Sequence, residues 1–277
     1  MAATRQEKYN TFRTLHQRPG AFVIPNPWDA GSAKILAALG FEALATTSAG
    51  CAFSRGHLDS APEMTRDVIL QNAKEIVDAT HLPVSADLQN GFGHSPDICA
   101  ETIRLAANAG LAGGSIEDSS GDPDSPIYGF QLATERVAAA AEAARASQFF
   151  LTARAENFLH DRPDLDDTIR RLQSFSKARA DVLYAPGLTD LDAIRAVCAS
   201  VAKPVNALMG FAGATFSVAE LAAVGVKRIS VGGSFARAAL GGLVRAAREV
   251  KEKGTFSYAA DALPSADVKR YLTDPKQ

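Results

Sequence analysis

Short apolar runs recur along the chain, each followed by a small polar loop and then a longer amphipathic stretch. The runs are Phe22 to Ile24, Ala43 to Thr46, Val84 to Ala86, Gly113 to Ile116, Phe149 to Ala153, Val182 to Tyr184, Val205 to Ala207 and Arg228 to Val231. Apolar runs of this length bounded by turn residues read as buried strands, and their regular alternation with helical stretches predicts βα units about a parallel sheet. Residues 130 to 147, FQLATERVAAAAEAARAS, combine strong helix formers with few charges and predict a helix. In LAALGF and LAAVGV, Gly40 and Gly225 suit the positive φ of a helix C-cap just ahead of a strand, and Asn108 to Gly110 repeats the arrangement.

Eight such units without a long linker predict a closed (β/α)8 TIM barrel over residues 1–253 rather than an open sheet. Residues 254–277, with Pro264 and Pro275, follow the eighth helix and read as a docked tail or intersubunit arm. Composition narrows the setting. A hydrophobic fraction of 47% with 22% charged residues is that of a globular domain. A net charge of -2 without a basic run provides no footprint for nucleic acid. No stretch reaches the roughly 18 apolar residues of a membrane span, and the polar N-terminus lacks a signal-peptide core. Cys51, Cys99 and Cys198 fit neither a disulfide framework nor a thiolate zinc site, so a reducing cytoplasm is expected.

In such a barrel, chemistry collects where strands end. The loops there carry Asn26, Trp28 and Asp29 after the first run, Thr47 and Ser48 after the second, and Asp87, Gln89 and Asn90 after the third. Glu117 and Asp118 follow the fourth, Arg154, Glu156 and Asn157 the fifth, Asn206 lies on the seventh, and Gly232, Gly233 and Ser234 follow the eighth. Asp87, Glu117 and Asp118 on adjacent rims are costly without a cation among them, and oxygen ligands suit Mg²⁺ or Mn²⁺. The bland alternative is that these acids cap helices or pair with Arg154. Arg154 is placed to take a substrate carboxylate in a bidentate fork, or to form a rim ion pair with Glu117 or Glu156. The small residues of TTSAG expose backbone N–H groups that suit an enolate oxygen, as well as a tight turn. Gly232 and its neighbours suit a phosphate as well as a turn. Of His57, His81, His94 and His160, none has a compelling address as a base. Lys203 and Lys227 precede their strands, on the face remote from chemistry.

The ordered motifs NPWDAGSAKILAALGF, TTSAG, Asp59, SADLQNGFG, SIEDS and TARAENF resemble the isocitrate lyase/phosphoenolpyruvate mutase superfamily over roughly residues 20 to 250. The resemblance implies a barrel whose eighth helix is exchanged between subunits of a homo-oligomer, a dimer or tetramer. It also implies Mg²⁺ or Mn²⁺ beneath a small 2-oxo or 2-hydroxy acid. By that likeness Asp87 is the direct metal ligand, and Asp59, Gln89 and Glu117 surround the metal's waters. Arg154 binds a carboxylate, and Thr47 precedes the oxyanion donors Ser48 and Ala49. Trp28, Asn206 and Gly232 are further candidates for contact with substrate.

Two departures count. Gln89 stands where the superfamily has Asp or Glu, and SSGDPDSPIYG after Asp118 lacks the Lys, Cys and His of the isocitrate lyase loop. The resulting expectation is an enolate-stabilising enzyme that cleaves a C–C bond in a 2-oxo or 2-hydroxy (di)carboxylic acid, as lyase, decarboxylase or hydrolase, but not isocitrate lyase itself. The alternatives are a phosphonate-acting mutase or hydrolase and a ligand-binding barrel that has lost catalysis.

Overall fold

A computed structural model describes residues 3–273, so Pro275 of the expected tail lies outside the described residues. The strands are β1 (Phe22–Ile24), β2 (Leu44–Ala45), β3 (Val84–Asp87), β4 (Gly113–Glu117), β5 (Phe150–Arg154), β6 (Val182–Tyr184), β7 (Val205–Leu208) and β8 (Arg228–Ser230). They form one parallel sheet in the order β1-β8-β7-β6-β5-β4-β3-β2, each pair adjacent in sequence except at the β1–β8 junction. This is the cyclic order of the expected barrel, and every predicted run contains its strand to within a residue or so.

The seam lies between β1 and β2. Pro25 has no N–H to donate and β2 is two residues long, so no ladder forms there. Instead Ala45 N–H donates to Pro25 O at 3.0 Å and Asn26 Nδ2 donates to Thr46 O at 2.9 Å.

Helices cover the outside, and their starts follow local side-chain chemistry. Asp29 caps α2 (Ala30–Ala38), Thr65 caps α4 (Arg66–Asp78), and Ser95 with Pro96 opens α5 (Pro96–Asn108). The Ala-rich stretch forms α6 (Phe130–Ala146). Gly40, Gly110 and Gly225 take φ of 89°, 92° and 97°, the left-handed conformation expected at these helix ends.

Two cores result. The larger fills the space between sheet and helices, with Leu44, Ile76, Ile103, Leu151 and Phe175 fully enclosed. The smaller plugs the N-terminal mouth, where α1 (Arg5–Gln17) inserts Phe12 and Leu15 against Phe22, Ile24, Phe150 and Val182. Lys227 donates to Arg18 O and Gly20 O at this closed end, away from the C-terminal mouth.

The helix after β8, α10 (Ser234–Lys253), stands apart. Only Ala236 on it is buried, and Leu243 is 64% exposed. Beyond it, residues 254–273 form a 3-10 turn and α11 (Ser265–Leu272), which lies against α2. No described helix is long and apolar enough to cross a membrane.

Candidate active site

A cavity of about 180 Å³ opens at the C-terminal ends of the strands and runs down into the barrel. At its mouth are Thr47, Ser48, Ala49, Asp59, Asp87 and Arg154, together with Gly232 and Gly233, so four of the expected loops meet at one place.

The β2 loop turns directly into a short helix, α3 (Ser48–Ser54), capped by the Thr47 side chain, which accepts from Gly50 N–H at 3.2 Å. A Cβ at Gly50 would stand 2.6 Å from Thr47 Cγ2 and 2.8 Å from Trp28 Cβ, so glycine is required there. Trp28 therefore packs behind the loop and is not among the residues lining the cavity. Ser48 faces inward. Its N–H reaches Asp87 Oδ2 at 3.3 Å, and its hydroxyl lies 2.9 Å from Asp87 Oδ2 and 3.1 Å from Asp59 Oδ2. One hydroxyl proton thus lies between two carboxylates.

Arg154, at the end of β5, is gripped from three sides. Its Nε and Nη2 donate to the two Glu156 oxygens at 2.8 and 3.2 Å, Nη2 also lies 3.1 Å from Glu117 Oε2, and Nη1 donates to Asp87 Oδ1 at 3.1 Å. Burial works against the guanidinium charge, but Glu156, Glu117 and Asp87 together overcome it and raise its pKa well above the ordinary value. The rim ion pair with Glu117 and Glu156 is formed, and the Nη1 edge of Arg154 turns towards Asp87.

The surrounding acids outnumber the cation. Burial raises the Glu117 carboxyl well above the ordinary carboxylate range, against Arg154 and with help from Glu156, Asp87 and Asp59. Asp59 is raised by burial and then by Asp87. Gln89 Nε2 donates to Asp59 Oδ1 at 3.3 Å, and its φ of 48° holds the loop in a left-handed turn. The amide thus contacts the carboxylate cluster through Asp59.

Asp118 is different. Its carboxylate points away from the cavity, accepting from Glu156 N–H at 2.8 Å and pairing with buried Arg171 at 2.9 Å. Burial lifts its pKa to about 6 in spite of these partners. It serves to join β4, β5 and α7 (Leu165–Lys177), a structural role, but through Arg171 and not through Arg154 or a helix cap as the alternative had it.

Other candidates fall where the loops leave them. Gly232 lines the cavity, but its N–H and that of Val231 donate to Asn26 Oδ1 at 3.0 and 2.9 Å, so these amides are already engaged. His94 binds Tyr128 Oη at 2.8 Å and His160 binds Ser119 Oγ at 3.1 Å; neither lines the cavity. Asn206 does line it, lower down, bonded to Ser230 and Arg228.

Several lining residues escaped the list of strand ends. Tyr184 lies with its ring 5.3 Å from the Arg154 guanidinium, and burial, opposed by Arg154, pushes its hydroxyl up to about 12. Ser85, Ser115, Arg228 and Ser230 line the interior one step below the rim. The available signal was the strand period of two: Ser85 precedes Asp87, and Ser115 precedes Glu117, on the same inward face.

Among the described residues, no three Asp, Glu, His or Cys side chains converge as a direct metal cage. The donors do fit a hydrated divalent cation held by one carboxylate. They are all hard oxygens, and negative charge exceeds the single guanidinium among them.

Residues 12–251 match the family model described as phosphoenolpyruvate phosphomutase. The chain belongs to this family. A solved structure of a candidate lyase/mutase from Burkholderia cenocepacia J2315 is 56% identical, superposes with a TM-score of 0.95, and is covered over 97% of its length by 98% of this chain. A 2,3-dimethylmalate lyase, a PEP mutase/isocitrate lyase superfamily member, is 25% identical with a TM-score of 0.85, over 97% of this chain and 96% of that one. The 2-methylisocitrate lyase of Escherichia coli K12 is 28% identical over 76% of this chain and 73% of its own. The superfamily placement made from the loop motifs is thus established across nearly the whole barrel.

Proposed function

We propose that the protein is a divalent-metal-dependent enzyme that breaks a C–C bond in a small 2-oxo or 2-hydroxy (di)carboxylic acid. The observation that carries this reading is the cluster of Asp59, Asp87, Glu117 and Glu156 about one arginine at the mouth of a barrel cavity. Buried acids in such excess call for a further cation. Asp87 would hold Mg²⁺ or Mn²⁺, with Asp59, Gln89 and Glu117 about its waters. The cation would supply positive charge to the oxygen of a developing enolate.

The chain's own groups would do the rest. Ser48 N–H is engaged by Asp87 and Gly50 N–H by Thr47, so Ala49, which lines the cavity in the first turn of α3, would supply the oxyanion-binding amide. Arg154 would keep Asp87 oriented and meet a substrate carboxylate with its Nη1 edge. The engaged Gly232 amide weighs against a phosphoryl cradle, and so against the phosphonate alternative.

The exposed apolar residues of α10, among them Leu240, Leu243 and Val244, support exchange of this helix with a second copy in a homo-oligomer. A cytoplasmic setting agrees with three free cysteines.

Calorimetry with Mg²⁺ and Mn²⁺, paired with turnover of a panel of 2-oxo and 2-hydroxy acids, tests the reading. Cation binding that disappears in Asp87→Ala, together with C–C cleavage, is expected. A protein that binds neither cation, or whose activity on these acids survives Asp87→Ala, would overturn it. Phosphorus NMR of phosphonopyruvate incubations separates the phosphonate alternative.

A further inference from the structure

The interior of a (β/α)8 barrel is ordinarily filled by branched apolar side chains. Here the layer beneath the rim is polar. Ser85 on β3, Ser115 on β4, Asn206 on β7, and Arg228 and Ser230 on β8 all line the cavity that begins at Asp87. The small hydroxyls leave the barrel open in its centre, so the space runs from the mouth down to Arg228.

Arg228 is 5% exposed and has no carboxylate partner among the described residues. Its Nε donates to Asn206 Oδ1 at 2.8 Å and its Nη2 to Thr152 Oγ1 at 2.9 Å, across the barrel from β8 to β5. Nη1 has only a long contact of 3.5 Å with His16 Nε2. A guanidinium carries five N–H donors, so three partners leave donors over. Its neighbours contribute dipoles, not negative charge.

The other buried arginines are answered differently. Arg154 has Asp87, Glu117 and Glu156; Arg171 has Asp118 and Asp167. Arg136 has the carbonyls of Asn90, Gly93 and His94. Arg228 alone among these four combines a missing counter-charge with an open cavity beside it. A buried unpaired cation is costly, and a positive group with spare donors in a low-dielectric pocket attracts an anion strongly.

We infer that Arg228, with the hydroxyls of Ser85, Ser115 and Ser230, forms a subsite at the cavity floor for a compact anionic group, a carboxylate or an inorganic monoanion of similar size. Arg154 already balances three acids and has only its Nη1 edge to offer at the mouth, whereas Arg228, at the floor, has no acid at all among the described residues. If the group belongs to substrate, an assignment that rests on the function proposed above, the enzyme selects diacids: one end at Asp87, the other at Arg228. The anion site itself does not depend on that function.

Crystals of the full-length wild-type protein soaked in sodium bromide test the site directly, because bromide is located by anomalous scattering. Bromide beside Arg228 that malonate or succinate displaces assigns the subsite to a substrate carboxylate. Bromide that the diacids leave in place assigns it to an inorganic monoanion. Absence of both bromide and diacid from Arg228 overturns the inference. In solution, calorimetry without turnover keeps the test apart from the reaction. For a substrate subsite, Arg228→Met should weaken diacid binding about tenfold or more with little change for pyruvate, and Arg228→Lys should recover part of the loss. Equal losses for diacid and pyruvate would reject the diacid assignment. Should Arg228→Met fail to fold, the wild-type bromide and diacid structures decide alone.

Discussion

His16 should make the fold acid-sensitive below pH 6.5. The ring is 5% exposed, packed against Phe12, Phe22 and Phe150 with centroid distances of 4.7, 5.0 and 4.5 Å. Nδ1 donates to Phe12 O at 2.8 Å, which leaves Nε2 as an acceptor facing Arg228. Burial first, then the positive charge of Arg228, depress its pKa from 6.5 to about 3. The sign follows from proton uptake: below pH 6.5 the unfolded chain binds a proton at His16 that the native state refuses. Stability is therefore full above pH 6.5 and falls as pH drops towards 3. At about 1.4 kcal/mol per pH unit, the loss at pH 5 is roughly 2 kcal/mol, approaching about 5 kcal/mol near pH 3.

The variant His16→Phe keeps an aromatic ring and removes the titration. Urea unfolding followed by circular dichroism, at fixed protein concentration and at pH 7.5 and 5.0, gives the difference between wild type and variant. Other titrating groups cancel in that difference. The variant should be less stable at pH 7.5 through its lost hydrogen bond, and the gap should shrink by roughly 2 kcal/mol at pH 5. A gap unchanged between the two pH values would refute the reasoning, because His16 would then protonate equally in both states.

Four further outcomes follow from the same geometry. Arg154→Lys replaces a fork that spans Glu156, Glu117 and Asp87 with a point charge, so turnover on the proposed substrates should fall by about 10²-fold or more, as steady-state kinetics would show. Gln89→Glu restores a negative charge beside Asp59 and should tighten Mg²⁺ binding in titration calorimetry; no tightening would remove Gln89 from the metal's surroundings. Asp118→Ala leaves Arg171 buried with Asp167 as its remaining acid and should cost about 3 kcal/mol in urea unfolding, with residual activity following the folded fraction. Leu243→Glu with Val244→Glu places charge on the uncovered face of α10 and should abolish the proposed oligomer, giving a monomer mass in light scattering where the wild type gives a multiple of it.

The sequence carried the barrel because its determinants are local. Each strand is a short apolar run, helix starts such as those of α2, α4 and α5 have their own Asp, Thr or Ser cap, and Gly40, Gly110 and Gly225 mark helix ends by a conformation other residues resist. Asp87, Ser48 and Arg154 were legible for a related reason, whereas Asp59, in the loop between α3 and α4, was legible only through the family resemblance. In a barrel, the position just after a strand is also the position at the mouth.

What side chains do once they meet depends on partners distant in sequence. Asp118 and Glu117 are neighbours, yet pleating sends Glu117 to Arg154 and Asp118 outward to Arg171, 53 residues away. Trp28 was drawn behind the loop by Gly50, and the Gly232 amide was taken by Asn26 from the opposite end of the chain. Arg228 shows the division most clearly. Along the chain it is one basic residue at the start of a strand; only the closed barrel surrounds it with Thr152, Asn206 and His16, withholds a carboxylate, and leaves it facing the space below Asp87. Periodicity and caps act over a few residues, so the sequence alone could determine the elements. Charge balance is a sum over everything nearby in space, so it was decided by tertiary structure.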